Sequence, residues 1–436
     1  MAEKRNGIRV TATGDSMITR SIVEKANFEK LREIIQKGDA RFTNCEVLFH
    51  NADSYPIFKD SWPNATMSYA EKPIARELSN LGFNMVSLCN NHTMDYGPPG
   101  MFSTIDALAQ VGIVSAGSGR DLAEARETRY IETDKGRVAL IAACWSPAQQ
   151  MWESASNTQS GIPARPGVNL LLVNTTYIVN GELLNNLRKT ISVLGLNPPN
   201  GRDPHLGKDE ISIFGHKFKE GHPERIIRSV RKKDMEDVIK TIKDAKKSAD
   251  WVLYSFHTHD SDARGIEYPA MWVQEFARAC IDAGADMYIG HGPHVLQGIE
   301  IYNKKPIFYS LGNFIVQNLT VKKVTYDQYR YYDLDDNSKP SDFYSARAGQ
   351  IPPSGKPYDR LWFESIIPII EIRKGLRIDL YPVVIGSEDG NPLHKDFPRL
   401  ADKSRGKTII EHLQTISRQW NTRITIQDGT GRILID

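Results

Sequence analysis

Short runs rich in β-branched and aromatic residues alternate with helical patterns along most of the 436-residue chain. That alternation confines it to an α/β architecture. The strand-like runs are 8–14 (IRVTATG), 84–89 (NMVSLC), 138–144 (VALIAAC), 251–256 (WVLYSF), 287–290 (MYIG) and 306–312 (PIFYSLG). Helical patterns occupy 22–37, 73–81, 105–111, 233–248 and 271–283. In the last, Trp272, Phe276, Ala279 and Cys280 share one helical face, and Gly284 is placed to cap it. In such folds the functional loops follow the C-terminal ends of the strands.

Two stretches interrupt the rhythm. Residues 147–225 are rich in Asn, Pro and Gly around a helical pattern at 183–194. Residues 319–361 carry Tyr326, Tyr329, Tyr331, Tyr332, Phe343, Tyr344 and Tyr358 among polar residues and prolines. Structureless loops of this length are uncommon inside a domain. Both are read as lids over the site of a single domain spanning 8–436; disordered surface insertions are the alternative. The segment 225–247 mixes both charge signs on a helical pattern, as a solvated helix face does.

Composition removes several function classes. With 55 Lys and Arg against 53 Asp and Glu, the formal charge is +2, which makes no case for nucleic-acid binding. No apolar run approaches the roughly 18–20 residues needed to cross a bilayer. The N-terminal residues lack the pattern of a secretory signal, so no membrane anchor and a cytoplasmic location are expected. Cys45, Cys89, Cys144 and Cys280 are far apart and lie in or beside apolar stretches. They suit buried small hydrophobes better than a disulfide framework or a zinc ribbon.

Chemistry gathers at the strand ends. The first strand ends in Gly14-Asp15, Glu46 follows Asn44, and the run 84–89 leads into Asn90-Asn91-His92 and Asp95-Tyr96-Gly97. The run 251–256 delivers His257-Thr258-His259-Asp260, and 287–290 delivers His291-Gly292-Pro293-His294. Carboxylate, amide and imidazole donors at five such positions suit Mn, Zn, Fe or a similar divalent ion. His257 and His259 differ by two, so an extended backbone points both rings to one side. Pro293 rigidifies the turn between His291 and His294. Asp15 and Glu46 could bridge or flank two cations, Asn91 offers a neutral oxygen, and His92 could protonate a leaving group.

The blocks VTATGDSM, TNCE, VSLCNNHTMDYG, IDAGADMYIGHGPHVLQGIEIYNKKPIFYSLGNF and ITIQDGTG resemble the poly-γ-glutamate capsule-synthesis (CapA-type) family, which is similar to the calcineurin-like metallophosphoesterases. The resemblance runs from about residue 8 to the end, outside the two insertions. It implies a four-layer α-β-β-α sandwich of the metallophosphoesterase type holding one or two divalent metals. It also implies Asp15, Glu46 (bridging), Asn91, His257, His291 and His294 as ligands and His92 as general acid. Three positions depart from the family pattern. Met17 stands where a histidine is frequent, which leaves a weak first metal site or a mononuclear enzyme. Thr258-His259 replaces a usual Trp-Gly, and Gly292 replaces a common histidine. One loop loses a histidine and its neighbour gains one, so His259 is expected to act as a ligand or substrate contact.

The expected function is metal-dependent hydrolysis of a phosphoester, amide or lactone in a small anionic substrate, with Asp15 and His92 in the catalytic machinery. Arg165, Arg202, Lys208 or Arg264 could meet the anion. The alternatives are a component of poly-γ-glutamate synthesis or export, which the missing anchor opposes, and a non-catalytic metal-binding module.

Overall fold

The computed structural model describes residues 7–22, 25–59, 65–147, 149–196, 209–213, 216–317, 321–350, 360–373, 375–386 and 397–435, without the side chains of 25–27 and 348–350. The chain divides into two compact units, Met1–Leu170 with Val238–Asp436, and Leu171–Asp237.

The larger unit is mixed α/β. A ten-stranded sheet runs in the order Thr425–Gln427, Thr430–Ile435, Leu376–Ile385, Glu364–Ile372, Ile8–Met17, Ala40–Cys45, Met85–Ser87, Val114–Ala116, with Asn313–Val316 beside Ile8–Met17 and Pro398–Leu400 beside Leu376–Ile385. A six-stranded sheet runs Ile299–Tyr302, Lys305–Phe308, Met287–His291, Trp251–His257, Gly136–Cys144, Arg129–Thr133. Four neighbouring strands of each sheet, from Ile8–Met17 to Val114–Ala116 and from Lys305–Phe308 to Gly136–Cys144, are parallel. Parallel pairing brings the C-terminal ends of those strands to one edge.

Adjacent residues on a strand face opposite ways, and the core follows from that. One hydrophobic cluster gathers Val10, Phe42 and Met85 of the first sheet with Leu140, Leu253 and Ile289 of the second. A second cluster joins Val86, Ile367 and Ile369 to Leu31, Leu78 and Leu108 of the helices Lys25–Ile35, Ala75–Leu81 and Gly97–Gln110. Next to Leu253, Tyr254 turns the other way, with its ring 5.7 Å from Phe276 of the helix Met271–Ala283. That helix has the bounds its periodicity predicts and is capped by Gly284. The helix expected at 105–111 begins at Gly97, because prolines 98 and 99 sit in its first turn, where a missing N–H is harmless. All four cysteines are free and buried.

The smaller unit departs from the loop-rich reading of 147–225. Glu210–Ile213, His216–Glu220, Val173–Val179 and Arg225–Val230 form a four-stranded sheet in that order, beside the helix Gly181–Val193. Residues 225–230, read above as the start of a helix, instead pair antiparallel with 173–178. Ile226, Ile227 and Val230 are β-branched, and a paired strand suits them better than a helical turn. The helix starts at Lys232. In the second stretch, Tyr326–Tyr331 and Pro340–Gln350 are helical, and Phe343 is fully buried with its ring 5.4 Å from Tyr332. Its aromatics pack. Among the described residues no helix is long and apolar enough to cross a membrane.

Candidate metal centre

The strand ends expected to carry donors converge. Asp15 and His291 lie within strands of different sheets, yet His291 Nδ1 is 3.2 Å from Asp15 Oδ1 and His294 Nδ1 is 3.2 Å from Asp15 Oδ2. Strand register sets His257 directly opposite His291. Glu46 Oε1 lies 3.8 Å from both His257 Nε2 and His294 Nε2. His259 Nε2 is 3.3 Å from His257 Nε2 and 3.3 Å from Asn91 Oδ1. Two donor groups result, Asp15–Glu46–His294 and Glu46–His257–His259, each with its ligand atoms within 4.8 Å of one another. They share Glu46, and His291 and Asn91 stand beside them.

Two glycines make this approach possible. A Cβ on Gly14 would lie 2.0 Å from the Gly312 carbonyl oxygen, which accepts the Asp15 amide at 2.9 Å. A Cβ on Gly292 would lie 2.4 Å from the Thr258 carbonyl oxygen, and φ there is +113°. The histidine common at that family position therefore has no room here. His294 itself sits at φ +60°, an uncommon conformation for a non-glycine residue.

The electrostatics call for positive charge. Burial would raise the Asp15 carboxyl, but His291 and His294 outweigh it and hold it well below the usual carboxylate range. Burial, reinforced by the Asp15 charge, pushes Glu46 well above that range. Burial also drives His257 and His259 well below the ordinary imidazole value, so both are neutral and able to ligate. Burial opposes charge on His294 too, yet Glu46 and Asp15 lift it to about 9. Both carboxylate oxygens of Glu46 and the Nε2 of His291 are buried without a hydrogen-bond partner among the described residues. Buried polar groups are normally satisfied. A divalent cation among these donors supplies both the charge and the missing partners, so the residues fit such an ion.

His92 belongs to a different arrangement. Its Nε2 is 4.0 Å from Glu46 Oε1, and its Nδ1 is 2.6 Å from Asp95 Oδ2. Burial would raise Asp95, but Lys59 and His92 outweigh it and hold it below its ordinary value. An ionised Asp95 can only accept, so Nδ1 carries the proton and Nε2 is presented to the donor cluster. Lys59 lies 2.9 Å from Asp95 Oδ1 and 3.1 Å from Glu153 Oε2, and it also donates to the Asn91 carbonyl.

Several of these partners escaped the sequence reading. Asn44 donates to Asp15 Oδ1 at 2.9 Å and stands 3.2 Å from His257 Nδ1, tying the two sheets' ligands together. Asn313 Oδ1 lies 2.9 Å from His294 Nδ1. Lys59 and Glu153 had no motif to mark them; Asn44 had only its place two residues before Glu46. A cavity of about 240 Å³ opens onto Glu46, His92, His259 and His294, with Met17 in its wall. Trp362 covers His294 at 4.7 Å between ring centroids.

The expected anion contacts do not gather here. Arg165 donates to the Ser154 and Met151 carbonyls, and Arg264 binds Asp262 and stacks on Tyr268, so both guanidinia serve local structure. Arg202 and Lys208 lie outside the described residues. For His259 the geometry makes a direct prediction: His259→Ala should lower the metal bound per chain, measured by elemental analysis. Unchanged metal content and turnover would remove it from the ligand set.

Comparison with known proteins agrees with this arrangement of motifs. The family profile described as "Bacterial capsule synthesis protein PGA_cap" matches residues 9–318. A Sinorhizobium fredii protein, "Uncharacterized protein y4sH", is 31% identical over 443 residues, covering 98% of this chain and 93% of that one. The "PGA biosynthesis protein CapA" of Bacillus subtilis is 26% identical and covers 69% of this chain and 61% of its own length. The "Capsule biosynthesis protein CapA" of Bacillus anthracis is 25% identical, covering 71% of this chain and 59% of its own length. The chain thus spans about 60% of the two CapA proteins. With most of its length matched and its clustered donors lying inside the matched region, the chain belongs to the bacterial capsule synthesis protein (PGA_cap) family.

Proposed function

We propose that the chain is a metal-dependent hydrolase acting on a small anionic substrate. The observation that carries this reading is the pair of buried donor groups sharing Glu46, with His92 presented to them by Asp95. Asp15, Glu46 and His294 would hold one ion of the Mn, Zn or Fe type, and Glu46, His257 and His259, with Asn91, a second. When bound, such a cation lowers the pKa of a water and polarises the group under attack. The chain's own residues do the rest. Asn44 and Asn313 fix the ligand side chains, the cavity wall admits a small substrate, and His92, acting in the imidazolium form that the Asp95 carboxylate favours, would give its Nε2 proton to the leaving group and keep the one on Nδ1. Phosphoester, amide and lactone bonds are all open to this chemistry. We also propose the four-layer sandwich, supported by the hydrophobic cluster shared between the two sheets and the helices packed on their other faces.

The test is metal analysis of chain purified without chelator, followed by hydrolysis of an aryl phosphodiester and of γ-linked oligoglutamate. His92→Ala should keep its metal and lose about 100- to 10,000-fold in turnover, the usual span for a general acid. Equal turnover in this variant would remove His92 from catalysis. A second reading, a part in poly-γ-glutamate or capsule synthesis, is favoured by the names of the Bacillus relatives. Cleavage of oligoglutamate and not of the phosphodiester would join the two readings.

A further inference from the structure

The cavity at the donor cluster has a wall that the proposed metal chemistry does not use. Arg347, on the helix Pro340–Gln350, and Thr66, Ser68 and Trp362 line it together with His92 and His294. Arg347 Nη1 donates to Thr66 Oγ1. Its Nε is buried and has no hydrogen-bond partner among the described residues, and the same is true of Ser68 Oγ, on a residue only 6% exposed. A buried donor left without a partner keeps its desolvation cost uncompensated, and here two such groups, one of them cationic, line the same small cavity. Glu46 and His259 of the donor cluster also line it, and the remaining wall is apolar, with Met17, Ala65, Ile266 and Pro293 beside Trp362.

We propose that Arg347 and Ser68 form an oxyanion subsite that holds a carboxylate or phosphate of the substrate beside the metal centre. The proposal rests on the reading of the cluster as a hydrolytic site, and it names the group that recognises the substrate. A guanidinium offers Nε–H and Nη–H in one plane, a fork that matches two oxygens of a carboxylate or phosphate. Thr66 occupies one Nη and holds the guanidinium in orientation, leaving Nε to the ligand. Ser68 Oγ donates a further hydrogen bond to the same anion. The apolar wall suits a short carbon chain between that anion and the bond to be cleaved. The subsite therefore selects substrates carrying an anionic group close to the scissile bond, and it acts before and independently of metal loading.

Calorimetric titration tests this, with glutarate and inorganic phosphate as separate probes, on metal-loaded protein and on protein stripped with chelator. Wild-type chain should bind at least one probe in both states, and the tighter series identifies the class of oxyanion. Arg347→Ala should weaken that binding at least about tenfold in stripped protein, as loss of a charged hydrogen bond implies. Arg347→Lys, which keeps the charge without the fork, should fall between the two, and Ser68→Ala should weaken binding severalfold. No binding by wild-type chain, or equal binding by wild type and both Arg347 variants, overturns the proposal. The hydrolase reading fails separately: a chain without metal or turnover would sink it while leaving the Arg347 difference in stripped protein intact.

Discussion

Glu46→Gln should leave a folded protein that has lost nearly all its affinity for divalent cations, by at least about 100-fold, since even partners of ligands contribute ten- to a hundredfold. Glu46 is the carboxylate common to both donor groups. Burial and the Asp15 charge raise it well above the ordinary carboxylate range, and uncharged glutamine is nearly isosteric with it, so the metal-free fold should lose little. The variant and the wild type should therefore melt together in chelator. In excess Zn or Mn only the wild type should gain stability, by about 4 kcal/mol when the ion is at a thousand times its dissociation constant. Thermal melts with and without metal, together with elemental analysis, read both effects. A variant that retains full metal content and the full metal-induced shift would show that Glu46 is not shared between the two donor groups.

Lys59→Met should destabilise the protein by about 3–5 kcal/mol, the usual cost of removing one partner of a buried ion pair. The lysine lies between Asp95 and Glu153, and all three are buried. Its loss would leave the buried Asp95 and Glu153 carboxylates without the ammonium they share. The pH dependence has a definite sign. Asp95 is depressed in the folded protein, so its contribution is present above its unfolded value near 3.9 and is lost as pH falls below that. Burial would lower Lys59, but Asp95 and Glu153 outweigh it and raise it above its usual value. Its contribution is present below about 10.5 and is lost as pH rises through the folded value. Glu153, the third member, is held above its usual value by burial, so its contribution is fully present below about 4.3 and is lost as pH rises through its folded value. In Lys59→Met both carboxyls are pushed up by burial, so the variant should become more stable as pH falls from 8 to 5. Urea midpoints at those two pH values measure this. A variant within 1 kcal/mol of wild type, or one with no gain at pH 5, would contradict the account, and adding Glu153→Gln should restore part of the loss.

The parts of this protein that were legible in the sequence are those written in local chemistry. Strands such as 251–257 and 287–291 announce themselves because fully buried parallel strands are continuous apolar runs, and the helix Met271–Ala283 because its apolar face has the helical period. Asp15, Asn91, His257, His259, His291 and His294 could be picked out because each is a metal-compatible donor at or just after a recognisable strand end, and Glu46 by its place after Asn44. Within 171–237 the helical pattern at 183–194 is visible in the sequence and matches the helix Gly181–Val193, whereas the strand Arg225–Val230 is not, because Arg225 and Arg228 among its β-branched residues run on into the basic start of the helix after it.

What the sequence alone determined, then, was the α/β class, the donor types and the loops that carry them, since these depend on residue identity and near-neighbour spacing. Only the tertiary structure decided how the donors are partitioned: Glu46 shared, His259 drawn in beside Asn91, and Gly292 barred from bearing a side chain by the Thr258 carbonyl. It alone brought Lys59, Glu153, Asn44 and Arg347 into play. Each of these acts through a partner 29 or more residues away in the chain, and no spacing rule reaches that far. Their roles come from burial, where an unpaired charge or hydrogen-bonding group is costly enough to dictate its own company.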